Sequence, residues 1–232
     1  MDTNHPVVSK EAWLVQRRAL LEREKALTHQ RDQIARERRA LPWVRIDKPY
    51  VFDTPAGRRT LAELFEGRRQ LMVQHFMLGP GWEAGCVGCS FMADHIEGAS
   101  VHVMQRDVTL LVVSRAPLAE IERFRQRMGW RFKWVSSFGS DFNHDFGVSF
   151  TADERARGEV DYNYARQPFA HEEAPGISAF CKNAQGEVFH TYSTYHRGAE
   201  LTMGAFNWLD LVPKGRNEDG GIMNWVKLHD EY

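Results

Sequence analysis

Long apolar runs, net charge and cysteine are all scarce in this sequence of 232 residues. No segment approaches the roughly 18 consecutive apolar residues of a membrane-spanning helix, and residues 1–10 lack the apolar core of a secretory signal. The 30 basic and 31 acidic residues leave a formal net charge of −1, so no overall field attracts nucleic acid or an anionic membrane. We therefore expect a cytoplasmic protein with no nucleic-acid or membrane partner.

The three cysteines are too few to form a disulfide framework, and a reducing cytosol disfavours structural disulfides. Hydrophobic residues make up 43% of the chain and charged residues 26%, which is ordinary for a globular protein that builds its own core. The closely spaced Cys86 and Cys89 are therefore predicted to be redox-active or metal-binding. Cys181 lies in an apolar stretch, which is typical of a small core residue.

Proline and glycine are both absent between Ser9 and Ala40, and good helix formers dominate there, which predicts one long helix. Ser9 is a candidate N-cap, and Pro42 is expected to stop the helix. Apolar residues recur at intervals of seven, at Trp13, Leu20, Leu27, Ile34 and Leu41. This narrow seam suits packing on the body of the protein or a homodimer contact. We assign residues 1–45 to an N-terminal helical extension.

Strand and helix patterns alternate through the centre of the chain. After a short strand at residues 50–52 and a short helix at residues 60–65, we predict strands at 70–78, 108–114 and 132–136 and helices at 89–95 and 117–128. An alternation of this kind predicts parallel strands with helices on the faces of the sheet.

The pattern becomes irregular from residue 138 to residue 176, where aspartate, asparagine, glycine and aromatic residues are frequent. The many aromatic side chains favour an ordered, aromatic-rich insertion. Beyond it, residues 177–181 and 187–192 flank a turn-forming segment and predict a β-hairpin, with a last short helix at residues 201–209. Residues 46–232 are therefore interpreted as one α/β domain with an insertion and a C-terminal extension.

The cysteine pair lies where the first central strand gives way to a helix. A thiolate is the reactive form of cysteine, and the amides at a helix start stabilise it, so a lowered pKa is expected for Cys86. Cys89, one turn further, would be the resolving thiol. A zinc site would need ligands beyond the pair, from His75, His95 or His102, and two cysteines that merely pack are a further alternative. We predict no metal and no cofactor.

Three nearby residues are candidates for lining the thiol site. Trp82 could shield a sulfur, and Glu83 could accept the proton of a thiol. The sequence is equally compatible with both being exposed loop residues that have no role in the site. Pro175 precedes a predicted strand and is the residue type that forms a cis bond facing the sulfurs, although most prolines are trans.

Several runs of residues together form a recognisable pattern: His75-Phe76-Met77, residues 86–91, residues 113–117, Arg127-Met128-Gly129-Trp130, residues 192–195 with Arg197-Gly198, and residues 225–232. These runs resemble a bacterial thioredoxin-like family, domain-of-unknown-function family 899, whose members are described as predicted dithiol-disulfide oxidoreductases. The resemblance covers nearly the whole chain. It implies a thioredoxin-like central sheet flanked by helices, and it assigns the redox role to Cys86 and Cys89.

Between the cysteines, Val87 and Gly88 depart from the Gly-Pro of thioredoxin and from the Pro-Ser associated with this family. The residues between the cysteines help to set the pKa of the thiols and the strain of the disulfide, so the sequence does not give the reduction potential of the pair.

Thiol-disulfide exchange with a protein or small-molecule disulfide is the leading functional hypothesis. A thiol peroxidase is the first alternative, in which peroxide oxidises Cys86, Cys89 resolves the product, and Arg115 or Arg197 polarises the substrate. A non-catalytic binding protein is the second alternative, with the aromatic insertion and the N-terminal helix as its interaction surface.

Overall fold

The computed structural model describes residues 5–232, and the chain divides between Pro42 and Trp43 into two compact units. The first unit contains α1 (Lys10–Ala40), whose N-cap is Ser9 as predicted, because its side chain accepts a hydrogen bond from the amide of Ala12. Along this helix Arg17 pairs with Glu24 at 2.8 Å. Within the described residues, no helix is both long and apolar enough to cross a membrane.

The second unit is built from ten strands and six helices, besides short 3-10 turns. The strands are β1 (Val44–Arg45), β2 (Val51–Thr54), β3 (Gly57–Thr60), β4 (Gln70–His75), β5 (Val108–Ser114), β6 (Trp134–Ser136), β7 (Val160–Tyr162), β8 (Ala165–Gln167), β9 (Gly176–Lys182) and β10 (Val188–Tyr195). The helices are α2 (Val87–Ala93), α3 (Ile96–Met104), α4 (Leu118–Arg127), α5 (Phe142–Asp145), α6 (Ala152–Ala156) and α7 (Gly204–Leu209).

Eight of the strands form one mixed sheet in the order β1-β10-β9-β4-β5-β6-β2-β3. Strands β4, β5 and β6 are parallel to one another, and the hairpin β9–β10 lies antiparallel against β4. The expectation of parallel central strands followed by a hairpin is therefore confirmed, and the sheet is thioredoxin-like.

Apolar side chains cover both faces of the sheet, because successive strand residues point in opposite directions. On one face Leu71 and Val73 join the cluster that contains Phe142. On the other face Val112 packs with Phe76 and the residues of α2 and α4, and this second cluster includes Cys89. The cysteine pair thus packs on the face of the sheet opposite Phe142.

The boundaries of two predicted elements are wrong. The first central strand ends at His75 rather than at residue 78, because the next residues turn away to meet the loop that carries the cysteines. The helix starts at Val87 and ends at Ala93, and α3 follows it without having been predicted. Gly98 inside α3 weakens the helical pattern, which explains the omission.

The insertion at residues 138–176 is ordered, as its aromatic content predicts. It contains α5, α6 and the small antiparallel pair β7–β8. Phe142, Phe146, Phe150 and Tyr162 are buried in one core cluster, whereas Tyr164 is exposed. The insertion therefore completes the core on its face of the sheet.

Candidate functional site

Cys86 is the N-cap residue of α2, directly after the loop that leaves β4. Its backbone amide donates to the carbonyl of Met77 at 3.0 Å, and its carbonyl accepts from the amide of Ser90 at 2.9 Å. The backbone N–H and C=O of Cys86 are thus both hydrogen-bonded to neighbouring segments. The side chain is left partly exposed at the edge of the core.

Gly85 positions this loop because no side chain fits at its Cα. A methyl group built there would lie 2.4 Å from Phe76 Cε1 and 2.8 Å from Phe124 Cε1, well inside van der Waals contact. Two buried rings therefore pack directly against the backbone next to Cys86, and the requirement for glycine is steric.

Gly85→Ala is expected to destabilise the fold by about 1 to 3 kcal/mol, because overpacking forces buried rings off their preferred positions. Chemical denaturation followed by far-UV circular dichroism measures the effect. Gly98→Ala is the matched control: it lies within α3 with open space around it, and is expected to be neutral or stabilising by up to about 1 kcal/mol. Equal stability of the two variants would show that the space beside Gly85 is not tight.

Cys89 lies beneath Cys86 and is only 1% exposed. The backbone amide of Met77 donates to the sulfur of Cys89 at 3.5 Å, and the side-chain amide of Gln74 donates to the backbone carbonyl of Cys89 at 3.0 Å. Cys181 stands opposite Gln70, at the other end of β4, and so does not take part in the pair. All three cysteines are free thiols in this structure.

The environments of the two thiols move their pKa values in opposite directions. The pKa of Cys86 is lowered from 9.0 to about 6, chiefly by the hydrogen bond from the Cys89 thiol; burial opposes this effect, and the backbone amides of Cys89 and Gly88 add to the lowering. The same hydrogen bond and complete burial raise the pKa of Cys89. Cys86 is thus the thiolate at neutral pH, and Cys89 holds the proton.

Both cysteines line one cavity of about 200 Å³. Four segments of chain form its walls: α2, the residue Pro175, the turn at residues 196–203, and the C-terminal loop around residue 222. Its lining residues are Cys86, Gly88, Cys89, Met92, Pro175, His196, Arg197, Ala199, Glu200, Met203, Ile222 and Met223. Cavities of about 460 and 500 Å³ elsewhere are lined without either cysteine.

Charged groups at the rim of this cavity are paired with one another. Arg197 Nε donates to Glu200 at 2.7 Å, and Arg216 holds the same carboxylate at 3.2 Å. Arg216 also binds Asp210 at 2.7 Å, and its guanidinium lies 4.0 Å from the centre of the Phe206 ring. This network fastens the C-terminal loop to the turn that forms one wall of the cavity.

The other predicted lining residues occupy different positions. Pro175 does line the thiol cavity, but its peptide bond is trans, as are all the peptide bonds in residues 5–232. The ring N–H of Trp82 donates a hydrogen bond to Glu172 at 3.0 Å, and its side chain packs against the second core cluster. Trp82 is not among the residues that line the cavity. Glu83 is exposed and is likewise not among the lining residues.

Arg115 lies outside the cavity lining and forms an ion pair with a buried carboxylate. Its Nε donates to Glu173 at 2.5 Å, and its Nη2 lies 3.5 Å from Glu172. The second oxygen of Glu173 accepts from Ser149 at 2.5 Å. Because Glu173 precedes Pro175 by two residues, this ion pair holds the segment that supplies one cavity wall. Arg197 is thus the only one of the two candidate arginines that lines the cavity.

Of the three histidines considered as ligands, two are hydrogen-bonded away from the sulfurs, and His102 is exposed on α3. His75 Nε2 lies 2.7 Å from Ser178 Oγ on the opposite face of the sheet. His95 bridges two helices, because its Nδ1 donates to the carbonyl of Phe91 at 2.7 Å and its Nε2 accepts from the amide of Ala205 at 3.0 Å. Across residues 5–232 no group of three or more histidine, cysteine or acidic side chains is arranged to hold a metal ion.

Comparison with solved structures finds similar architectures at low sequence identity. A cysteine-to-serine mutant of peroxiredoxin Q from Xanthomonas campestris is 12% identical with a TM-score of 0.48, over 72% of this chain and 98% of that one. Peroxidoxin BcpB from Mycobacterium tuberculosis is 12% identical with a TM-score of 0.46, over 71% and 97% of the two chains. Likenesses this weak carry no argument about activity.

Curated protein sequences yield no match to this chain. The sequence profile of one family, described as a bacterial protein of unknown function (DUF899), matches residues 2–232. That match runs from the N-terminal helix through the cysteine pair to the C-terminal tyrosine. The chain therefore belongs to this family.

Proposed function

We propose that this protein is a dithiol-disulfide oxidoreductase in which Cys86 is the nucleophile and Cys89 is the resolving thiol. One observation carries the proposal: two free thiols, one partly exposed and one buried, line the same cavity. Two cysteines that only filled the core would both be enclosed by apolar groups, with no cavity in front of them.

The first chemical step is attack by the Cys86 thiolate on an electrophilic sulfur. With a substrate R–S–S–R, a bond forms between Cys86 and one sulfur, and the other sulfur leaves as a thiolate that takes up a proton from water. Cys86 suits this step because its lowered pKa keeps it ionised at neutral pH. Cys89 remains protonated and does not compete as the nucleophile.

In the second step Cys89 loses its proton and attacks the sulfur of Cys86. The Cys86–Cys89 disulfide forms and the second R–SH leaves, so that two electrons pass from the protein to the substrate. An external dithiol reductant then restores the pair. Once Cys86 is bound to substrate it no longer carries negative charge, and the pKa of Cys89 is expected to fall because that charge had opposed ionisation.

A thiol peroxidase is the second candidate, favoured by the presence of Arg197 in the lining of the same cavity. Here the Cys86 thiolate attacks the terminal oxygen of R–O–OH and becomes a sulfenic acid, while R–O⁻ leaves and is protonated. Cys89 then condenses with the sulfenic acid to give the same disulfide and water. Arg197 would have to exchange Glu200 for the peroxide.

Oxidation of the reduced protein tests the proposal directly. We expect a loss of two hydrogens in mass, reversed by a dithiol reductant and mapped by peptide analysis to Cys86 and Cys89. A disulfide that involves Cys181, or no intramolecular disulfide at all, would contradict the assignment.

The rate of alkylation of Cys86 is expected to rise through a midpoint near pH 6, because the thiolate is the reactive form and the hydrogen bond from Cys89 lowers the pKa of Cys86. The measurement is iodoacetamide labelling against pH, read out by mass at the peptide containing Cys86. In denaturant the midpoint should return to the free-cysteine value of about 8.5. A midpoint that is the same in native and denatured protein would rule out activation by the fold.

A further inference from the structure

The surroundings of Cys86 restrict what can reach it. We infer that the substrate is a small, uncharged electrophile in which the S–S or O–O bond to be cleaved carries an apolar substituent. This inference rests on the proposed function and adds the class of substrate.

The first support is the size of the cavity. At about 200 Å³ it is smaller than the roughly 300 to 1,000 Å³ of pockets that hold drug-sized ligands. Residues of α2, of the turn at residues 196–203 and of the loop at residues 222–223 line it together with Cys86. A cavity of this size suits a small molecule better than the disulfide of a folded protein.

The second support is the position of Met223 beside the nucleophile. Gly88 has no side chain, and a methyl group built on it would lie 3.5 Å from Met223 Sδ, 3.4 Å from Met223 Cε and 3.9 Å from Cys86 Sγ. The methionine and the thiol therefore flank the same small space. A group bonded to the atom that Cys86 attacks therefore enters space that Met223 borders.

The third support is the chemistry of the walls. Three methionines, Met92, Met203 and Met223, line the cavity. Methionine side chains are apolar, polarisable and flexible, so they adapt to apolar groups of different shape. They offer no hydrogen bond of useful strength to a carboxylate or an ammonium group on a substrate.

The fourth support is the charge at the rim. The carboxylate of Glu200 is held by both Arg197 and Arg216, so these opposite charges largely satisfy one another. A charged substituent would have to compete with these partners, or enter the apolar interior without one. An uncharged substituent needs neither change.

The test compares oxidants that differ in charge and size. Reduced protein is mixed with diethyl disulfide, oxidised glutathione, hydrogen peroxide, cumene hydroperoxide or insulin, and formation of the Cys86–Cys89 disulfide is followed by mass. Each rate is divided by the rate of free dithiothreitol with the same oxidant, which removes intrinsic reactivity. We expect the normalised rate to be about tenfold or more higher for the uncharged disulfide than for oxidised glutathione, within the range that a pocket contact gives.

The two peroxides show whether the substrate is an organic hydroperoxide or a small disulfide. If the normalised rate is higher for cumene hydroperoxide than for hydrogen peroxide, and both small disulfides react slowly, the substrate is an organic hydroperoxide. A preference confined to the uncharged disulfide identifies a small disulfide. Insulin is expected to be the slowest disulfide in either case.

Two cavity variants add polar groups without filling the space. Met223→Gln and Ile222→Gln are each expected to lower the preference for the apolar oxidant by about fivefold to tenfold. Ile222 is 56% exposed, so its variant should fold normally. Met104→Gln is the matched control, because Met104 is an exposed methionine on α3 outside the cavity lining.

The outcomes distinguish this inference from the function on which it rests. If no oxidant forms the disulfide, the proposed function fails. If the disulfide forms but charged, uncharged and protein oxidants react at equal normalised rates, or if the cavity variants behave like Met104→Gln, the function stands and the substrate class is overturned.

Discussion

Cys86→Ser is expected to lower the rate of reaction with any disulfide or peroxide at least about a thousandfold, because removing a covalent nucleophile eliminates most of the catalysed rate. Cys89→Ser is expected to behave differently. Its hydroxyl can still donate a hydrogen bond to the Cys86 sulfur, so the first step continues, but no thiol is left to resolve the product. The protein should accumulate as a mixed disulfide on Cys86, detected as a mass increase equal to the substrate thiol.

A third variant separates the two roles of Cys89. Cys89→Ala removes the hydrogen bond that contributes most to lowering the pKa of Cys86, so the alkylation midpoint should move upward from about 6. Cys181→Ser is the control and should leave both steps unchanged, because Cys181 lies at the other end of β4. Equal loss of reactivity in Cys86→Ser and Cys89→Ser would contradict the division of roles.

Arg115→Leu is expected to destabilise the protein by about 3 to 5 kcal/mol, the usual effect of removing one partner of a buried ion pair. Glu173 is only 1% exposed, and without Arg115 its carboxylate keeps Ser149 as its one hydrogen-bonding side chain. Urea unfolding followed by tryptophan fluorescence measures the change. Arg127→Leu is the control: Arg127 pairs with Asp230 at the surface, and its loss should change stability by less than about 1 kcal/mol.

The effect of Arg115→Leu should also depend on pH. Burial already raises the pKa of Glu173 in the wild type, against the opposing influence of Ser149 and Arg115. Without Arg115 the pKa rises further, and a group with a raised folded-state pKa stabilises the fold at low pH and loses that contribution as pH rises through the folded value. The destabilisation should therefore be smaller at pH 5 than at pH 8. A loss independent of pH would show that the carboxyl group is not ionised in the native protein.

The ion pair connects stability to the thiol site. Glu173 and Pro175 belong to one short segment, and Arg115 reaches it from the end of β5. One cavity wall is therefore positioned by a residue that does not line the cavity. We expect partial unfolding of this segment in Arg115→Leu to expose Cys89, which would appear as faster alkylation of Cys89 while the alkylation of Cys181 stays unchanged.

Local sequence patterns predicted the central elements well because they depend on short-range physics. Apolar runs and helical periodicity identified β4, β5 and α4, and the turn after Lys182 identified the β9–β10 hairpin. Ser9 was recognised as a cap because capping requires only a side chain and an amide three residues apart. The same reasoning missed α3, whose interior glycine breaks the usual pattern.

The thiol site was predicted only in part. Cys86 and Cys89 are close in sequence, so one helical turn brings them together in any fold that places them on a helix. Met203 and Met223 lie more than a hundred residues away, and only the packing of the turn at residues 196–203 and of the C-terminal loop near α2 brings them to the same cavity as Cys86. Their one signal in the sequence was a methionine count of eight, which says nothing about position.

The amino-acid sequence by itself determined the parallel strands of the α/β core and the long N-terminal helix, because each depends on periodicity along the chain, and the resemblance of its residue runs indicated the family. It also placed Cys86 and Cys89 three residues apart. Only the tertiary structure decided that Cys86 is partly exposed and Cys89 buried, that Arg197 lines the cavity while Arg115 does not, that Pro175 is trans, and that the cavity is small and lined by three methionines. Those features arise from contacts between segments far apart in the chain, and burial and pairing, which set pKa and access, exist only after the segments have packed.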